Sequence, residues 1–163
     1  MSVVEEKNTN TVARWSLGGV FLEALANRNY TRMAATLGPT VHFRAMLPPG
    51  PMDLDGPEAV ADAFRSWFGG ADDFELVDAT VGEVGGRLHL SWRLRVRPAP
   101  FGIGDGWHVI EQQAYADATE TIELWICCAP ASRPSPSANT DQSQRGPLLG
   151  KGGRMPKDYV GLA

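Results

Sequence analysis

Between residues 88 and 97 the chain alternates without a break. Leu88, Leu90, Trp92, Leu94 and Val96 are apolar, and His89, Ser91, Arg93, Arg95 and Arg97 are polar. A period of two sends successive side chains to opposite faces of a strand, so this segment predicts a strand with one buried and one wet face. A sheet built from such strands must hide its apolar side beneath another layer. The chain therefore has to supply its own cover.

That cover lies upstream. Leu17, Val20, Phe21, Ala24 and Leu25 recur at i, i+3, i+4, i+7 and i+8, which predicts an amphipathic helix over about residues 12–27, preceded by a flexible 1–11. Tyr30, Met33, Ala34 and Leu37 repeat the spacing in a shorter helix, stopped by Gly38-Pro39. Val60, Ala63, Phe64, Trp67 and Phe68 form a third stripe, with Gly56-Pro57 at its start and Gly69-Gly70 at its end. The segments 41–47, 74–84, 107–117 and 122–128 read as further strands. Helices first and strands afterwards make an α+β layout: a curved antiparallel sheet wrapped around three N-terminal helices, with a pocket where the sheet curls.

Charge divides the chain at about residue 128. Residues 1–128 carry 10 Lys and Arg against 17 Asp and Glu, whereas residues 129–163 carry 5 against 2. The second stretch is rich in Pro, Ser and Gly and has no apolar periodicity, so it is expected to be a disordered tail after a single 12–128 domain. A net charge of −4 gives no electrostatic footprint for nucleic acid or an anionic membrane. No stretch approaches a membrane span and residues 1–6 show no basic-then-apolar leader, which points to the cytoplasm. The adjacent Cys127 and Cys128 are expected to be packed and reduced.

Few motifs carry chemistry. Gly146-Pro-Leu-Leu-Gly150-Lys151 is one residue short of a phosphate loop and lacks the following Ser or Thr, and Gly102-Ile-Gly104-Asp-Gly106 lacks the dinucleotide-loop spacing. His42, His89 and His108 fall on separate strands without partners at ligand spacing, so no metal or other cofactor is expected; His89 and His108 are assigned to outward faces. Arg93, Arg95 and Arg97 share one strand face, read as a solvated or subunit-facing surface paired with acids such as Glu75 and Glu83.

Glu111 stands out. Trp107, Val109, Glu111, Gln113 and Tyr115 share one strand face, and its apolar start marks it as the inward one. A carboxyl group buried among aromatic residues keeps its proton to higher pH, as an acid or base working near neutrality must. Gln113 and Tyr115 would orient it or a ligand, with Phe21, Trp67, Trp92 and Trp107 as pocket walls. The plainer alternative is a hydrogen-bonded Glu111 that performs no chemistry.

The run Phe21-Leu-Glu-Ala-Leu-Ala-Asn-Arg-Asn-Tyr-Thr-Arg-Met-Ala-Ala-Thr-Leu37, followed by Val41-His-Phe-Arg-Ala45, Gly56-Pro-Glu-Ala-Val60 and Trp107-His-Val-Ile-Glu-Gln-Gln-Ala-Tyr-Ala-Asp117, resembles the SnoaL-like branch of the nuclear transport factor two-like superfamily. The resemblance implies a cone-shaped α+β barrel that often dimerises through its outer sheet face, in a family that includes polyketide cyclases, ketosteroid isomerases and epoxide hydrolases. In the isomerase branch a tyrosine and a protonated aspartate stabilise an oxyanion while a second aspartate moves the proton. Carried onto this chain, the tyrosine position falls at Phe21, the proton-moving position at or beside Ala45, and the oxyanion acid at Glu111. Steroid-type isomerisation is thus not expected. The expectation is a protein with a pocket for a small apolar or aromatic molecule, cyclase-like or isomerase-like through a buried Glu111, with a non-catalytic ligand-binding or dimeric interaction module as the alternative.

Overall fold

The computed structural model describes residues 3–47, 49–128 and 133–134. Helices α1 (Val3–Ala26), α2 (Tyr30–Ala34) and α3 (Pro57–Phe68) lie against one face of a sheet formed by β1 (Leu37–Leu47), β2 (Gly50–Asp55), β3 (Asp73–Val84), β4 (Arg87–Arg97), β5 (His108–Ala118), β6 (Ile122–Cys128) and the two-residue β7 (Arg133–Pro134). The α+β layout with helical cover on one side agrees with expectation. The strand order is β2-β1-β6-β5-β4-β3, with β7 beside β5. One pairing differs from an all-antiparallel sheet: β1 and β6 run parallel.

Several boundaries move. Helix α1 begins at Val3, so the stretch expected to be flexible is helical from its third residue. Helix α2 ends at Ala34, and Leu37, Gly38 and Pro39 open strand β1 instead of closing a helix. The i, i+3, i+4 spacing of Tyr30, Met33 and Ala34 is satisfied by α2, whereas Leu37 is buried from the first position of the strand. Strand β2 carries only Met52 and Leu54 half-buried between exposed neighbours, too weak a signal beside Pro48 and Pro49. The expected tail lies outside the described residues, apart from Arg133–Pro134 pairing with His108 and Val109.

Local chemistry sets these elements. The Asn29 side chain caps α2 by accepting from the Arg32 backbone N–H at 3.0 Å. Gly56, at φ 86°, makes the turn that places Pro57 in the first turn of α3. Helix α1 crosses the β3–β4 hairpin at Gly18, where a Cβ would come within 2.8 Å of Leu90 Cδ2. Phe21, Leu25, Met33, Phe43, Phe64, Leu90, Leu94 and Trp125 are fully buried between the layers. Each such side chain contributes about 1.5–3 kcal/mol relative to exposure.

One core group works against stability. Tyr30 is buried, and its hydroxyl has no hydrogen-bond partner among the described residues. Burial pushes its pKa up, against the lowering influence of Arg28 and Arg65. A raised folded-state pKa means that the phenol's contribution is intact below the ordinary tyrosine value and is lost as pH rises through the folded value. Tyr30→Phe is expected to stabilise the fold by about 1 kcal/mol at neutral pH and to remove that alkaline loss. Urea unfolding at pH 7 and above pH 10 checks both; destabilisation at pH 7 would mean that the hydroxyl has a partner.

Candidate functional site

The sheet's inner face is fixed by cross-strand register. Residues opposite each other in an antiparallel pair project to the same side. Trp92 faces Gln112, Arg93 faces Glu111 and Leu94 faces Ile110. Because the alternation of β4 fixes Arg93 outward, Glu111 must point outward with it. The inner residues of β5 are His108, Ile110, Gln112, Ala114 and Ala116, all buried. The assignment of Trp107, Glu111, Gln113 and Tyr115 to the inner face is therefore corrected by one residue, and the outward assignment of His108 with it.

The outer face explains how the apolar start of β5 misleads. Trp107 is covered from outside by Arg95 and Arg97, whose guanidinium carbons lie 4.1 and 5.2 Å from its ring centre. Tyr115 stacks on His89 at 4.8 Å. Glu111 accepts from Arg93 Nε at 2.8 Å, and both side chains are about half exposed. The burial on which its acid–base role depended is not there. The guanidinium row is otherwise paired as expected, Arg95 with Glu75 and Arg97 with Asp73, whereas Glu83 pairs with Arg14 of α1. His42 is flanked by Asp55 at 2.8 Å and Asp53 at 3.4 Å on the β1–β2 hairpin, where hydrogen bonding from Arg44 holds the Asp53 carboxyl below its ordinary range.

Phe21, Trp67 and Trp92 are buried in the core, together with Phe43, Phe64 and Trp125. Their rings touch: Phe21 lies 4.4 Å from Trp125, 5.7 Å from Phe64 and 6.4 Å from Trp92. Aromatic rings thus make up the middle of the layer. Two concavities lie elsewhere, one of about 200 Å³ on the outer face beside Arg93 and Glu111, the other of about 390 Å³ between α1 and the β5–β6 turn.

The polar chemistry of the interior is sparse. Among the described residues the buried polar side chains are Thr36, His108 and Gln112, with no carboxylate among them. Gln112 Oε1 accepts from the Trp92 indole at 2.9 Å, and its amide nitrogen faces the Cys127 sulfur at 3.9 Å. The Trp125 indole N–H is buried without a hydrogen-bond partner. Cys127 is buried, and the side chain of Cys128 lies outside the described residues. Phe21 and Ala45, the isomerase-type positions, are fully buried and carry no proton-handling group. Among the described residues no cluster of His, Cys, Asp and Glu could hold a metal ion, and no helix is long and apolar enough to cross a membrane.

At one end of this aromatic layer Trp67 of α3 meets Phe101, centroid to centroid 6.0 Å. Phe101 and Ile103 belong to the β4–β5 loop and are 40% and 36% exposed. The signal that could have found this end is the aromatic and aliphatic pair set among Gly102, Gly104 and Gly106, an apolar tip on a loop otherwise built for conformational freedom.

A family model described as a SnoaL-like domain matches residues 20–119. No curated protein matches the chain. Among solved structures, a proposed polyketide cyclase from Xanthomonas campestris pv. campestris superposes with TM-score 0.58 at 17% identity, covering 73% of this chain and 91% of its own. An LEH-like epoxide hydrolase of M. tuberculosis gives 0.55 at 17% identity over 74% and 84%. A phenazine biosynthesis-related protein from Pseudomonas aeruginosa gives 0.55 at 10% identity over 75% and 84%. At these identities the likeness extends to the fold.

Proposed function

Because the chain belongs to the SnoaL-like domain family, we propose that it binds a small, largely apolar or aromatic molecule at the Trp67–Phe101 end of its interior, as a binding module and as a homodimer. The observation that carries this reading is the composition of the inner wall: aromatic rings, the Gln112 amide, the His108 imidazole and no carboxylate among the described residues. Rings, an amide and an imidazole tied to a backbone carbonyl recognise and orient a guest, whereas acid–base chemistry of the isomerase type needs carboxylates, and none is buried among the described residues. The structural relatives, among them a proposed polyketide cyclase, an epoxide hydrolase and a phenazine biosynthesis-related protein, accord with a small organic guest.

The homodimer is supported by the outer face. Arg93 with Glu111, Arg95 with Glu75 and Arg97 with Asp73 set both signs of charge side by side around Trp107. A two-fold contact places a patch against its own copy, and a mixed-sign patch can complement itself there.

Titration of intrinsic tryptophan fluorescence with 2-methoxynaphthalene tests the binding site. Saturable quenching is expected in the native protein and in Glu111→Gln. Trp67→Leu is expected to weaken it at least fivefold while thermal unfolding remains cooperative. Quenching that never saturates, or loss in Glu111→Gln, would remove this reading.

A further inference from the structure

His108 is the first residue of β5 and its ring points inward, 8% exposed, opposite the fully buried Val96. Its Nδ1 lies 2.9 Å from the Gly106 carbonyl oxygen. A carbonyl can only accept, so the hydrogen bond requires the proton on Nδ1, and in the neutral ring the lone pair then sits on Nε2. Nε2 makes no hydrogen bond among the described residues. The imidazole is thus an oriented acceptor in apolar surroundings, next to Ile110 and Val96 and under the loop that includes Ala99.

What covers it is the β4–β5 loop. Gly104, at φ 152°, lies so close that a Cβ there would sit 3.2 Å from His108 Cε1 and 3.6 Å from Nε2. The same loop reaches α3 through the Phe101–Trp67 contact and is closed on itself by the Ala99 N–H donating to the Gly104 carbonyl at 3.2 Å. Phe101 adopts φ 63°, a left-handed conformation that costs a bulky side chain energy and persists only where the surroundings hold it. One short segment therefore spans the aromatic floor at Trp67 and the imidazole edge at His108, with exposed apolar side chains at its tip and three glycines, Gly102, Gly104 and Gly106, around which it can swing.

We infer that the loop from Pro98 to Trp107 is the lid of the guest site, and that His108 Nε2 beneath it selects guests carrying a hydroxyl donor on an aromatic ring. The inference rests on the binding site proposed above and deepens it by naming the ligand class. A buried acceptor left unpaired disfavours a guest that cannot donate, so the hydroxyl is read as a difference between two otherwise similar rings.

Paired titrations with 2-naphthol and 2-methoxynaphthalene test it. The native protein is expected to bind 2-naphthol about tenfold more tightly than its methyl ether, and His108→Leu to erase that preference while retaining ether binding. Should the variant fail to fold, imidazole nitrogen-15 shifts of the native protein decide instead. Nδ1 should be the protonated nitrogen, with the Nε2 signal moving on addition of 2-naphthol and not of the ether. Equal affinities for the two probes, or an Nε2 signal indifferent to 2-naphthol, would overturn the role of His108 while leaving the binding module in place. Binding of neither probe would overturn both.

Discussion

Trp92→Ala should lower the free energy of unfolding by about 4 kcal/mol, within the range for deleting a large aromatic side chain from a packed core. Two losses add. Trp92 is 2% exposed and packs against Phe21 and Trp125 at 6.4 and 6.2 Å, so its removal opens a void in the centre of the aromatic layer. Its indole is also the donor to Gln112 Oε1, and without it a buried amide oxygen loses its partner. Trp92→Phe separates the two, since it keeps most of the volume and removes the donor; it should cost less than half as much. Urea unfolding followed by circular dichroism measures both. A loss below about 1.5 kcal/mol for Trp92→Ala would mean that the layer collapses around the gap.

Arg95→Glu should convert the proposed dimer to monomer. Arg95 stacks on Trp107 at 4.1 Å and sits beside Glu75. Reversal places two carboxylates together and leaves Trp107 without one of its two cationic covers. In a two-fold contact the change is made twice, once on each copy, so the effect on assembly is doubled relative to the effect on the single chain. Exposed ion pairs contribute little to the stability of an isolated chain. The expected result is a sedimentation coefficient that falls to that of one chain, with the thermal midpoint nearly unchanged. A native protein that already sediments as a single chain would end the dimer reading, and an unchanged coefficient in the variant would move the contact away from this face.

The sequence made the architecture readable and misassigned the inner face of β5 by one residue. Strand β4 was legible because five apolar and five polar residues alternate with no exception, and α3 because a Gly-Pro start and a Gly-Gly end bracket its stripe. Strand β5 offered no such contrast. Its outer row contains Val109 and Tyr115 and continues the side of the preceding Trp107, while its inner row contains His108 and Gln112, so both faces mix apolar and polar side chains. A period of two makes any error of face total, since it exchanges every residue at once. The deciding information was the pairing of Arg93 with Glu111 across β4 and β5, a contact between residues 18 positions apart. Separation in sequence likewise hid the Trp92–Gln112 bond and, across a much longer stretch of chain, the parallel pairing of Phe43 in β1 with Trp125 in β6. His108 illustrates the remaining gap: its chemistry comes from the carbonyl of Gly106 and the backbone of Gly104, neither of which advertises itself in residue type.

The position of β6 has a consequence for how the molecule is made. It lies between β1 and β5, so the strands on either side of it are joined into one sheet only through a segment translated after both. Without residues 122–128 the β1–β2 hairpin and the β3–β4–β5 meander share no strand pairing, and each presents an unpaired edge to the other. Closure is thus a late event that depends on residues 122–128 being inserted between them, and it is the stage at which the nascent chain is most open to pairing with a neighbour's edge.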